Sequence, residues 1–211
     1  GITNPATITL PPMGQRALRA AEIFGGGIAG RTGWIELSAS SPAVKGFFLV
    51  FDAALQYIDG SEIVEQLSNR LVFPKVSADT ILTFVNASAA RLEHAGLSLF
   101  DDNGRLVDRK LMTLTAYSGF SGSLISLMPG ASSFSGYAVL EASTTPFSVS
   151  RETLAGFETY RNRSDVAALS AAAPGEQLRV GYLPHFVSGG GYYSALALVN
   201  LASQPQRVRI T

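Results

Sequence analysis

Cysteine is absent from the 211-residue chain. That absence excludes disulfides, thiolate nucleophiles and thiolate metal ligands together, and it is neutral between a cytoplasm and a bacterial exterior. Histidine is nearly absent. His94 and His185 are the only two, fewer than the three protein ligands that a catalytic zinc takes, and no spacing of carboxylates points to a third. No metal and no cofactor is expected. Charge is scarce and balanced, with 16 Lys+Arg against 16 Asp+Glu, so the chain lacks the positive excess that gives proteins affinity for phosphate backbones. Nucleic acid is not an expected partner. Long apolar runs are also missing: nothing approaches the about 18 uninterrupted apolar residues of a membrane helix, so no transmembrane segment is expected. Gly1 rather than methionine opens the chain, as expected of a start that has been processed or cut.

What is present is 46% hydrophobic residues with 15% charged. That mixture describes a chain with a sizeable core, in one large domain or two of about 100 residues.

The chain also repeats itself. GYAVLEAS (136–143) echoes GWIELSAS (33–40) at an offset of 103 residues. Thr9-Leu10 aligns with Thr113-Leu114 and Ile23-Phe24 with Leu127-Met128, both at an offset of 104. Further on, Gly46-Phe47 aligns with Gly156-Phe157 and Pro74 with Pro184 at 110, and Val85-Asn86 with Val199-Asn200 at 114. The offset grows only across turn-forming stretches, where insertions cost little. Two copies of one unit account for this pattern.

Within the unit, period two dominates. Ile35, Leu37 and Ala39 alternate with polar neighbours, as do Ala138, Leu140 and Ala142, which marks strands with one buried face. Further strands are expected over 71–76, 80–86, 96–100, 106–115 and 157–161. Asp101-Asp102-Asn103-Gly104 has the chemistry of a hairpin turn. GQRALRAAEIFG (14–25) places Ala17, Ala21 and Phe24 on one helical face and stops at Gly25, so a short helix is expected there. Its counterpart GFSGSLISLMPG (119–130) is expected to hold a single turn.

The fold expectation is therefore all-β: two similar β-sandwich domains, Ig-like or jelly-roll-like, from an internal duplication, with one short helix each. The second copy runs complete over 71–170, whereas the first begins midway. Its missing opening strands recur in 181–211. The expected organisation is thus a continuous sandwich, 71–170, and a discontinuous one, 1–70 plus 171–211, completed by both chain ends; otherwise those ends would leave unpaired strand edges. The competing arrangement is a longer array, with edges completed by neighbours or by strand exchange.

LVFPKV (71–76), Val85-Asn86, the turn DDNGRLV (101–107), GYAVLEAS and the following Gly156-Phe157 together resemble tandem β-sandwich repeats of secreted or surface proteins of environmental bacteria. The resemblance covers nearly the whole chain. It implies an exported, modular, non-enzymatic protein and no particular chemistry. Lys75 and His185 differ at one equivalent position, which argues against a shared functional residue there.

Candidate sites are few. Gly25 to Gly30 satisfies G-x-G-x-x-G, but a dinucleotide needs a strand before it and a helix after it, and here the expected order is reversed. Asp101, Asp102 and Asn103 offer oxygen ligands without the acidic residue that closes an EF-hand. The serine-rich loops hold no G-x-S-x-G elbow. Glu36 and Glu141, a formal carboxylate pair, sit at outward positions of repeated strands. Asn86-Ala87-Ser88 and Asn162-Arg163-Ser164 are glycosylation acceptors only in a host that uses them. Arginine outnumbers lysine 13 to 3, which reads as solvated edges before it reads as an anion site. Tyr192 and Tyr193, after a glycine run, are the candidate ligand-binding residues: neighbours in a strand face opposite ways, so one of them is free to stack on a sugar ring.

The functional expectation is a non-catalytic structural or binding module with no catalytic residue. It is expected to be exported from a bacterium, extracellular, on the cell surface or periplasmic, with a protein or glycan as partner. The alternatives are a carbohydrate-binding module and, behind it, a carboxylate-dependent hydrolase.

Overall fold

A computed structural model describes residues 1–51, 58–143, 152–162, 165–173, 188–189 and 192–210. Its chain divides into two units, Gly1–Ser38 and Ala39–Thr211. Among the described residues no helix is long and apolar enough to cross a membrane.

The larger unit is all-β. Strands β1 (Phe47–Phe51) and β2 (Ile58–Glu62) form an antiparallel pair. Then come β3 (Arg70–Ser77), β4 (Ile81–Asn86), β5 (Leu92–Phe100), β6 (Leu106–Leu114), β7 (Gly119–Ser123), β8 (Ser135–Ser143), β9 (Leu154–Asn162) and β10 (Asp165–Ser170). A ribbon of β11 (Ser188–Gly189) and β12 (Tyr192–Tyr193) follows. Between β7 and β8 lie the single-turn helix α2 (Leu124–Leu127) and a 3₁₀ turn, Pro129–Ala131.

β3 to β10 make two four-stranded antiparallel sheets, ordered β3-β8-β5-β6 and β10-β9-β4-β7. Each is amphipathic for the reason its sequence gives: on β4, Leu82, Phe84 and Asn86 are buried while Ile81, Thr83 and Val85 are only half-buried, the period-two signature of a pleated strand. Residues from both sheets join one core, with Leu71, Phe73, Leu97 and Leu140 from one and Leu82, Phe84 and Leu154 from the other. Phe73 meets Phe84 across the sandwich at 6.5 Å, and Phe84 stacks on Phe120 at 5.4 Å. Each large side chain so buried contributes about 1.5–3 kcal/mol of transfer free energy.

Short-range polar bonds fix the connections. In the β5–β6 hairpin, Asp101 Oδ1 accepts from the Asn103 and Arg105 amides, both at 2.9 Å, and Gly104 takes φ 76°, as the turn chemistry requires. Asn86, fully buried, donates through Nδ2 to the Ala90 and Thr115 carbonyls (2.8 and 3.1 Å) and accepts the Ser88 amide (3.3 Å). One side chain thereby ties the loop after β4 to the turn after β6.

The smaller unit has little regular structure of its own. Helix α1 spans Ala20–Phe24, followed by a 3₁₀ turn at Gly26–Ile28. Two expectations are corrected here. The helix is confined to five residues, because 14–19 are not helical and Arg19 is an extended N-cap, φ −76° and ψ 153°. GWIELSAS, read as a strand, carries none. Its echo in β8 is bonded on both sides, to β3 and β5, whereas Ile35 and Leu37 are 53% and 64% exposed. Alternation proposes a strand, but only a partner's ladder makes one.

Even so, four backbone bonds of the smaller unit have the spacing of bonds within residues 115–134. The Gly14 amide donates to the Pro11 carbonyl as Ser118 does to Thr115. Gly25 to Ala21, Ile28 to Gly25 and Arg31 to Ile28 have their counterparts in Met128 to Leu124, Ala131 to Met128 and Phe134 to Ala131. α1 has five residues and α2 four.

Candidate functional site

Glu158 is the one fully buried carboxylate among the described residues. Leu154, Gly156 and Glu158 share the inward phase of β9, so the strand that carries a leucine into the core also carries a carboxyl group there. Opposite it, the β3–β8 register shifts between Phe73 and Val76, at Pro74, which has no amide to give to a ladder. The bulge leaves the Lys75 amide to donate to Glu158 Oε1 at 3.0 Å. Oε2 is buried without a hydrogen-bond partner. Burial pushes the carboxyl up to about 8, against the opposing pull of the Lys75 amide bond and the Lys75 charge. Glu158 is therefore largely protonated at neutral pH. Raised acids of this kind occur at catalytic centres, yet an acid with 0% exposure reaches no substrate unless the sandwich opens.

The smaller unit holds an open cavity of about 400 Å³, with Ala6, Ile8, Arg16, Leu18 and Ile23 in its wall. A smaller one of about 230 Å³ lies beside Asp101, Asp108 and Phe134. Its two carboxylates are committed locally, Asp101 to the hairpin amides and Asp108 to the Arg109 amide at 2.7 Å.

The residues singled out by sequence scatter. Tyr192 and Tyr193 form β12, with Gly189 opposite Tyr192 and Ser188 opposite Tyr193; their side chains lie outside the described part of the structure. His185, Arg163 and Ser164 of the second acceptor motif, and residues 181–187 of the stretch expected to hold the recurring strands also lie outside the described residues. His94 is exposed on β5, and no group of three or more potential metal ligands occurs among the described residues. Glu141 faces its register partner Arg70 at 3.4 Å, a half-buried cross-strand pair. Gly25, at φ 86°, closes α1 by donating to Ala21, and no helix follows Gly30 to receive a pyrophosphate. Sequence reasoning missed Glu158, although a carboxylate on the inward phase of an apolar strand was its signal. No protein-family model, curated protein or solved structure matches the chain.

Proposed function

We propose that the chain is a non-catalytic structural or binding module of an exported bacterial protein, working outside the cytoplasm and built from repeated sandwich units. The observation that carries this reading is what the repeat preserves. Met13 and Tyr117, the two non-glycine residues of positive φ among those described, fall 104 positions apart. Asn86 and Asn200 make the same pair of loop bonds, Nδ2 to the carbonyl four residues on and Oδ1 from the amide two residues on. These are scaffold devices. The chemically distinctive Glu158 has no such echo, since Phe48 occupies its repeat position. A duplication that keeps turns and loop clamps while replacing its buried acid favours architecture over catalysis.

Labelling of the producing bacterium tests the location. Lys45 is exposed and should react with a membrane-impermeant amine reagent on intact cells or in the osmotically released periplasm. Reaction only after complete lysis contradicts the proposal. Carbohydrate recognition through Tyr192 and Tyr193 is the second reading, supported by their place in a two-stranded ribbon beside Gly189. A glycan array comparing the protein with Tyr192→Ala and Tyr193→Ala decides it: a sugar bound by the parent and lost in the variants sustains it, and no sugar bound by the parent removes it.

A further inference from the structure

The two edges of the β3-β8-β5-β6 sheet are unlike. β3 is bonded beyond the sheet, its Val72 amide and carbonyl both taken by Ala172 at 2.9 Å, whereas among the described residues β6 has a ladder on one side only, to β5. Such an edge offers a row of amides and carbonyls to another strand. It is also apolar at both ends: Leu106, Val107 and Leu111 are 57%, 57% and 61% exposed. Charges on an edge strand ordinarily deter pairing. Here their order favours one partner. On either side of Arg109, the run Leu106-Val107-Asp108-Arg109-Lys110-Leu111-Met112 sets an acid against a base and two apolar residues against two more. Turned about a two-fold axis at Arg109, the strand meets a copy of itself with Asp108 opposite Lys110 at two places and residues 106–107 against 111–112 at both ends. The ladder to β5 runs without a shift from Asp108 to Met112, so both charge pairs fall on regular strand.

The side chains suit that meeting. Asp108 spends one oxygen on the Arg109 amide at 2.7 Å, and Lys110 spends one proton on the Leu127 carbonyl at 2.5 Å; the carboxylate keeps a second oxygen and the ammonium two more protons. The only like-charged meeting, Arg109 on Arg109 at the axis, is relieved within each chain. A Cβ at Gly96 of β5 would stand 3.0 Å from Arg109 Nη2, so the guanidinium lies back over β5, where the glycine leaves it room.

We infer that two copies of this chain pair through β6, antiparallel and in the register Arg109 to Arg109, so that each four-stranded sheet continues into the other. The contact is isologous, with main-chain bonds supplying attraction and the two charge pairs fixing register. A strand pair this short covers less than the about 1,000 Å² of stable complexes, so the dimer is weak and reversible, half-formed at a concentration on the order of 100 µM.

Sedimentation velocity of the whole chain from about 5 to about 500 µM should show the parent passing from monomer to dimer. Asp108→Lys sets bases against bases and Lys110→Glu sets acids against acids, so each, folded by its melting curve, should weaken self-association at least about tenfold. Mixed in equal amounts, one variant presents two bases to the other's two acids, and association should return to within about threefold of the parent. Arg109→Cys keeps both charge pairs and tests the axis even if a charge variant fails to fold. With no native cysteine, it should form a disulfide dimer at least about tenfold faster than Thr113→Cys, which is also exposed but would stand opposite Arg105 rather than itself. A parent still monomeric at the highest concentration, folded charge variants that associate as the parent does, a mixture of folded variants that does not recover, or equal crosslinking of the two cysteine variants would each overturn the inference.

Discussion

Met13 and Tyr117 share a left-handed backbone, φ 57° and 54°, at the same point of two turns 104 residues apart. Each sits in a four-residue turn closed by one amide-to-carbonyl bond, Gly14 to Pro11 and Ser118 to Thr115. Met13 is fully exposed, so its conformation is not held by side-chain burial. The turn itself is what the two segments share.

A left-handed position penalises a β-branched residue most. Tyr117→Val is expected to destabilise the continuous sandwich by about 1–2 kcal/mol, and Tyr117→Asn by about 0.5 kcal/mol or less, because asparagine tolerates that region. Urea denaturation of the two variants checks the difference. Equal losses would mean that the backbone strain is not what the position selects against.

Asn86→Ala removes three hydrogen bonds from a fully buried side chain and leaves two carbonyls and one amide to find other partners. A loss of about 2–4 kcal/mol is expected. Asn86→Asp keeps the acceptor but turns a carboxylate toward the Ala90 and Thr115 carbonyls, so it should be no better than alanine near neutral pH. Denaturation midpoints at matched slopes provide the measurement.

Glu158 makes stability fall as pH rises. Its folded value is about 8 against an ordinary 4.5, so between those limits the folded state holds a proton that the unfolded state has released, and the slope of unfolding free energy with pH is negative. The stabilisation is fully present below about 4.5 and lost by about 8. Glu158→Gln keeps a carbonyl oxygen for the Lys75 amide and does not titrate. Relative to the parent, its melting temperature should gain steadily from pH 5 to pH 8, by an amount worth a few kcal/mol. A parent-to-variant difference that is flat with pH would show that the carboxyl is not held neutral in the fold.

Where sequence reading succeeded and failed follows from what is local. β3, β4, β6, β8 and β9 lay close to where the sequence put them, and on β4 side-chain period and burial coincide. The Asp101–Gly104 hairpin was legible because its bonds close within five residues. Residues 14–19 were misread as helix: the helical spacing of Ala17, Ala21 and Phe24 was followed across a segment that ends in the extended N-cap Arg19. GWIELSAS failed the other way, its alternation being real and its ladder absent. Glu158 was not recognised because its environment depends on a bulge 83 residues away in sequence.

The two-sheet sandwich reduces most directly to the amide protons of β4, measured by hydrogen exchange on the unmodified protein. β4 is a strand between β7 and β9, so its amides should exchange at least about a hundredfold more slowly than unprotected ones. Exchange of the β4 amides at unprotected rates would contradict the account.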